Sequence, residues 1–146
     1  MTSEAGVAHI SAGELHNRFL EGEVPGRHFI LVDLRASDFK GGTIKGSLNI
    51  PMESLPSAIP TLYHLSSSTE ISDVIFFCGS SCGRGPKGAA SFSDYTAYQS
   101  IFSASKGSQK NPRGFVLTGG INGWAEGEKE YRDLMDGYDS EHWTSR

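Results

Sequence analysis

Asp73-Val74-Ile75-Phe76-Phe77-Cys78-Gly79-Ser80-Ser81-Cys82-Gly83-Arg84-Gly85-Pro86 is the stretch whose reading decides the fold. Val74 to Cys78 is unbroken apolar sequence, which predicts a central strand covered on both faces. Gly79 to Gly83 are all small, so the backbone can curl without side chains filling the space inside the curl. Pro86 suits a first helical turn, where its missing N–H leaves no bond unmade. A helix is therefore expected from Pro86 onward, with Ala89, Phe92, Tyr95, Thr96 and Phe102 as its buried stripe. A strand that turns tightly into a helix aims successive backbone N–H groups into a concavity.

Outward from this stretch, short apolar runs alternate with helical patterns. That order predicts an α/β domain with a largely parallel sheet. Val7 to Ile10 is a short candidate strand. Ser11 followed by Glu14 reads as a capping box, and Leu15, Phe19 and Leu20 as one face of the helix it opens, with Gly22 after its end. His28 to Asp33 is a stronger strand. A helical turn is expected around Ser37 to Lys40, a break at Gly41-Gly42, and a brief strand at Ser47 to Ile50. Leu55, Ile59, Leu62 and Tyr63 have helical spacing, but Pro60 predicts a broken or two-part helix. Ser66 to Thr69 reads as a polar loop, and so does Lys106 to Arg113. Phe115 to Thr118 is the last strand, and Gly119-Gly120 leads into a short helix carrying Trp124. Tyr131, Leu134 and Trp143 are expected to pack the C-terminal stretch back on the body.

The bulk numbers bound the function. The chain has 146 residues, a normal size for one domain, here taken as 1–146. Hydrophobic residues at 37% and charged residues at 21% can fill one core and argue against disorder. A net charge of -4 offers no basic surface for nucleic acid or an anionic membrane. No apolar run nears the roughly 20 residues of a membrane span. Met1 to Gly6 lack a basic segment followed by an apolar one, so a secretory signal is not expected. The two cysteines, Cys78 and Cys82, are then expected as free thiols in a reducing, cytoplasmic or nuclear compartment. The five histidines (His9, His16, His28, His64, His142) show no metal-ligand spacing, so no metal is expected. Oligomeric state stays open.

Cys78 and Arg84 form a Cys-x5-Arg pattern across the turn. A helix N-terminus carries roughly half a positive charge. Arginine adds a planar fork that can grip two oxygens of a phosphate-like group. Thiols in such a field ionise more readily than free cysteine. The candidate site is thus Cys78 as nucleophile, Arg84 as anion clamp, and Gly79, Ser80, Ser81, Cys82 and Gly83 as an oxyanion-binding loop. Attack on phosphorus would give a phosphocysteine for water to cleave, and attack on arsenate a thiolate-bound arsenic that a second thiol reduces. Cys82 could serve as a resolving thiol. The favoured reading makes it a loop residue whose backbone N–H alone matters, because a bridge would rearrange the cradle. Asp33 and Arg35 are read as an internal ion pair rather than substrate contacts, Lys87 as an anion-attracting or merely solvated lysine, and Trp124 and Trp143 as packing residues.

Three segments resemble the rhodanese-like superfamily, in its branch of cell-division-cycle dual-specificity phosphatases and eukaryotic arsenate reductases. They are Leu31-Val32-Asp33-Leu34-Arg35 with Gly41 to Pro51, Phe77 to Lys87, and Val116 to Trp124. The resemblance implies a rhodanese-like three-layer α/β domain with a mostly parallel five-stranded central sheet. Sulfurtransferases of the superfamily usually have a loop one residue shorter, suited to a sulfane sulfur. The longer Cys-x5-Arg-Gly-Pro loop found here suits a tetrahedral oxyanion. Members often carry His before the nucleophile, where this chain has Phe77. The phosphatases often have an acid after it, where this chain has Gly79, and the larger ones a back-door cysteine where this chain has Leu34. The compact length is closer to the arsenate reductases. The loop holds no carboxylate, so no general acid for an alcohol leaving group is visible. The resemblance therefore implies arsenate reduction with glutathione and glutaredoxin as electron donors. The alternative is a tyrosine or dual-specificity phosphatase. Thiosulfate sulfurtransfer and a non-catalytic phosphate-binding domain are the remaining readings.

Overall fold

The computed structural model describes residues 7–103 and 111–144. Five parallel strands form the central sheet: β1 (Ala8–Ile10), β2 (Ile30–Asp33), β4 (Leu48–Asn49), β5 (Asp73–Phe77) and β6 (Arg113–Leu117). Their spatial order is β1-β6-β5-β2-β4, so β5 is central, as its apolar run predicts. All four pairings are parallel, and Phe76 of β5 lies opposite both Val32 and Val116. A second, two-stranded antiparallel sheet pairs β3 (Thr43–Ile44) with β7 (Met135–Asp136), a ribbon too short to show in the sequence.

Strand alternation builds three layers. Val74, Phe76 and Cys78 face one side with Ile30, Val32 and Leu34, against α2 (Leu55–Ser68) and α3 (Arg84–Ser103). Ile75 and Phe77 face the other side with Phe29 and Leu31, against α1 (Ala12–Leu20) and α4 (Gly120–Ala125). A fully buried Phe contributes about 1.5–3 kcal/mol, and both Phe76 and Phe77 are fully buried. Tyr131, Leu134 and Trp143 pack on the second layer as expected, carried by α5 (Lys129–Arg132) and α6 (Ser140–Thr144) and the chain between them.

The helix caps match the sequence more closely than some helix interiors do. Ser11 accepts the Glu14 N–H at 3.0 Å and donates its own N–H to Glu14 Oε1 at 2.9 Å, a complete capping box. Leu15 is buried, but Leu20 lies outside the stripe and is 69% exposed. Phe102 is likewise exposed, beyond the turns of α3 that touch the sheet. α3 opens at Arg84, two residues earlier than the proline suggests, with Pro86 in its first turn.

α2 runs unbroken through Pro60. Its only interior bond lost to that ring is the one to the exposed Pro56, while Leu55, Ile59, Leu62 and Tyr63 hold the helix to the core. The serines read as a loop continue α2, because their hydroxyls donate back to carbonyls one turn earlier. Ser66 Oγ donates to the Leu62 carbonyl at 2.7 Å and Ser68 Oγ to that of His64 at 2.6 Å. Ser37 to Lys40 form a turn rather than a helix. Of the loop expected at 106–113, residues 106–110 lie outside the described residues and Arg113 begins β6, while Met1 to Gly6 are also outside them. No helix among the described residues is long and apolar enough to cross a membrane.

Candidate active site

Parallel strands bring their carboxyl ends to one edge, where open α/β sheets place their ligands. Cys78 follows β5 at that edge and is 3% exposed. The turn to Gly83 delivers the chain to the N-terminus of α3, and the Gly85 N–H donates to Cys78 Sγ at 3.3 Å. The sulfur thus sits at a hydrogen-bond donor and at the positive end of a 20-residue helix.

The loop is held from behind by α4. Its first-turn amides, Ile121 N–H and Asn122 N–H, donate to the carbonyls of Cys78 and Gly79, both at 2.9 Å. A trans peptide is planar, with N–H opposite C=O, and the chain has no cis bonds among the described residues. Turning those two carbonyls onto α4 therefore aims the Gly79 and Ser80 N–H groups away from α4. Ser81 adopts a positive φ of 59° and is 9% exposed, and its hydroxyl accepts the Cys78 N–H at 3.4 Å. Ser81 thus braces the loop from within instead of reaching out to an anion, whereas Ser80, Cys82 and Gly83 are exposed.

Gly120 makes that support possible. Its φ is +59°, and a Cβ there would lie 2.5 Å from the carbonyl oxygens of both Cys78 and Gly79. Gly120→Ala is expected to destabilise the chain by about 1–3 kcal/mol from backbone strain alone, and to lower turnover at least tenfold by shifting the loop. Urea melts beside activity measurements check both, and a variant as stable and active as the parent would contradict the tight packing of α4 on the loop.

Asp33 and Arg35 form the internal ion pair read from the sequence. Arg35 is 2% and Asp33 0% exposed, and Arg35 Nε and Nη2 reach the two carboxylate oxygens at 3.0 and 2.8 Å. Thr43 donates to Asp33 Oδ2 at 2.7 Å, while Arg35 also donates to the carbonyls of Lys40 and Gly42 at 2.9 and 2.7 Å. The pair pins the loop 36–42, which carries Asp38.

Asp38 is the site residue that sequence reasoning missed. Arg84 Nη1 and Nη2 donate to its two oxygens at 3.0 and 2.6 Å, a bidentate pair bridging 46 residues. Those hydrogen bonds, helped by the Ala36 N–H at 2.9 Å, hold the Asp38 carboxyl far below the usual carboxylate range. Arg84 is raised in turn, first by its bonds to Asp38, then by that carboxylate's charge and by the Cys78 sulfur, against the cost of desolvation. No local spacing betrays a contact between two loops so far apart. Lys87 is exposed, on the solvent side of the first turn of α3.

A pocket of about 370 Å³ opens beside the loop, sharing Gly79 with it and lined further by Asp38, Lys40, Asn122, His142 and Trp143. α6 supplies its far wall by close approach to Gly41, whose carbonyl accepts the Trp143 indole N–H at 2.9 Å. A Cβ on Gly41 would lie 2.5 Å from the His142 ring. Cys78 and Cys82 are both free thiols, the first buried and the second exposed, with Cys82 Sγ 3.9 Å from the Ser80 carbonyl. Among the described residues no group of three or more His, Cys, Asp or Glu could hold a metal ion.

Comparison with known proteins gives this arrangement its family. The chain is 32% identical over 104 residues to arsenical-resistance protein 2 of Saccharomyces cerevisiae, covering 67% of this chain and 75% of that one. It superposes on Saccharomyces cerevisiae Ygr203w, described as a homolog of single-domain rhodanese and the Cdc25 phosphatase catalytic domain. The TM-score is 0.75 at 27% identity over 97% of this chain and 94% of that one. A second structure of Ygr203w, described as a yeast protein tyrosine phosphatase of the rhodanese family, gives 0.69 at 25% over 98% and 99%. The As-Sb reductase of Leishmania major gives 0.62 at 25% over 88% and 84%. Residues 11–127, which include every element that builds the loop and its support, match the model of the rhodanese-like domain, and the chain belongs to that family.

Proposed function

We propose that the chain is a cysteine-dependent oxyanion enzyme that reduces arsenate to arsenite, with Cys78 as nucleophile and Arg84 and the loop Gly79 to Gly83 holding the anion. The observation that carries this reading is the Cys78 sulfur at the N-terminus of α3, with the Gly85 N–H on it and Arg84 beside it. The similarity to an arsenical-resistance protein and to an As-Sb reductase supports the choice of arsenic.

The Cys78 thiolate adds to As(V), and one arsenate oxygen leaves as water after protonation. An external thiol then attacks Cys78 Sγ and breaks the S–As bond. The bonding pair leaves with arsenic, now As(III), and Cys78 is left in a mixed disulfide. Glutathione is the external thiol of this proposal, and glutaredoxin the partner that returns Cys78 to the thiol. The setting is a reducing, cytoplasmic compartment.

Phosphatase chemistry is the second reading, favoured by the likeness to Ygr203w. It has a harder demand, because an alkoxide leaving group needs a proton in the transition state. Asp38 is the carboxyl group nearest in bonding to the clamp, and Arg84 keeps it ionised, so it has no proton to give. Purified protein with arsenate, glutathione and glutaredoxin is expected to form arsenite and to consume thiols. p-Nitrophenyl phosphate, whose aryl leaving group needs little acid help, is expected to turn over more slowly. Absence of arsenate-dependent thiol consumption, with phosphate release from the aryl ester, would give the site to the phosphatase reading.

A further inference from the structure

Asp38 takes only one edge of Arg84. Its oxygens span Nη1 and Nη2, the end-on fork of the guanidinium. Arginine has five N–H donors, and the side-on fork, Nε with the second hydrogen of Nη2, is a separate bidentate edge. An oxyanion over Cys78 can use that edge without breaking the ion pair, so that the carboxylate and the anion share one guanidinium. We infer that Asp38 is a specificity-determining residue, which selects tetrahedral oxyanions that carry a hydroxyl and rejects those that carry none. This rests on the oxyanion reading of the site.

Charge and proton count make the selection. An ionised carboxylate only accepts hydrogen bonds. Hydrogen arsenate and hydrogen phosphate can present an O–H to it, whereas sulfate and a phosphate monoester dianion present only oxygens. Like charges set close together in a cleft are penalised unless a proton lies between them. Asp38 is held in place by its surroundings. The Ala36 N–H binds Oδ1 at 2.9 Å, and buried Arg35 pins the turn through the Lys40 carbonyl at 2.9 Å. Its acceptor character is secured by Arg84, which holds it ionised. Lys40 and His142 are the other charged or titratable groups lining the adjoining pocket besides the paired Arg35, and the positive charge of Lys40 would favour any anion alike.

The test is anion binding by calorimetry to the Cys78→Ser protein, with and without Asp38→Asn, using arsenate, inorganic phosphate, sulfate and phenyl phosphate. The Cys78→Ser protein is expected to bind arsenate and phosphate well above sulfate. Asp38→Asn is expected to shrink the phosphate-to-sulfate ratio by about tenfold to a hundredfold, chiefly by admitting sulfate and the ester. Asp38→Glu keeps the carboxylate and is expected to keep most of the preference, which separates charge from fold. An unchanged ratio in Asp38→Asn overturns the inference. So does equal tightening toward all four anions, which would make Asp38 a mere competitor for Arg84. Loss of binding to every anion in Cys78→Ser itself would instead overturn the oxyanion reading beneath it.

Discussion

Cys78→Ser is expected to lower arsenate-dependent turnover by about 10⁴-fold or more, the scale seen when a catalytic nucleophile is removed. A serine hydroxyl in this position takes the Gly85 N–H as the sulfur does, and it fills nearly the same space in a site that is 3% exposed. Fold and anion binding should therefore survive, with a melting temperature close to that of the parent. What is lost is a soft nucleophile that can accept the S–As bond and later yield its sulfur to a second thiol. The variant separates three accounts of the site. A catalytic thiol predicts lost turnover with retained anion binding. A phosphate-reading domain predicts no change, because there is no turnover to lose. A role for the exposed Cys82 as the nucleophile predicts that Cys78→Ser keeps most of its activity. Rates of arsenite formation, read beside phosphate binding, decide among them.

The second large effect lies beneath the site. Asp33→Asn is expected to cost about 3–5 kcal/mol of stability, because it leaves the buried Arg35 guanidinium without its counter-charge. Small domains have only about 5–15 kcal/mol in total, so the loss is a large share and should show as a marked drop in the urea midpoint. Arg35 is 2% exposed and bonds both Asp33 oxygens and the loop carbonyls of Asp38, Lys40 and Gly42, so solvent has little access to make up the difference. The loop that carries Asp38 should loosen together with the pair, and anion selectivity should fall with it. Arg35→Met beside Asp33→Leu tests the cause. Removing both charges is expected to cost less than Asp33→Asn alone, whereas equal costs would mean that the loss comes from packing and not from an orphaned charge.

The sheet and the turn that carries Cys78 from β5 into α3 were legible because both depend on local pattern. The apolar run that ends at Cys78 has the length of a buried strand, and the small residues after it suit a tight turn, so β5, the loop and α3 followed from adjacent positions. The capping box at Ser11 and Glu14 is equally local. What stayed hidden depends on contacts between distant positions. Asp38 and Arg84 are 46 residues apart, and a lone aspartate in a polar loop gives no sign of its partner. The support of the loop by Ile121 and Asn122 was present in the sequence only as a Gly-Gly pair, whose reason is the approach of Gly120 to two carbonyls. Pro60 misled because a local rule about lost hydrogen bonds was outweighed by four buried hydrophobic side chains on the same helix. The serines at the end of α2 misled in the same way, since hydroxyls that usually break helices here bond back along it.

The N-terminus of α3, Arg84 and the loop that α4 supports all meet at Cys78. The most direct measurement is the intact mass of the protein, followed by peptide mapping, after incubation with arsenate and glutathione with glutaredoxin left out. Arsenate reduction through Cys78 predicts one glutathione adduct, located on Cys78, that forms only when arsenate is present and disappears when glutaredoxin is added. No adduct, an adduct that forms equally without arsenate, or an adduct on Cys82 alone would contradict it.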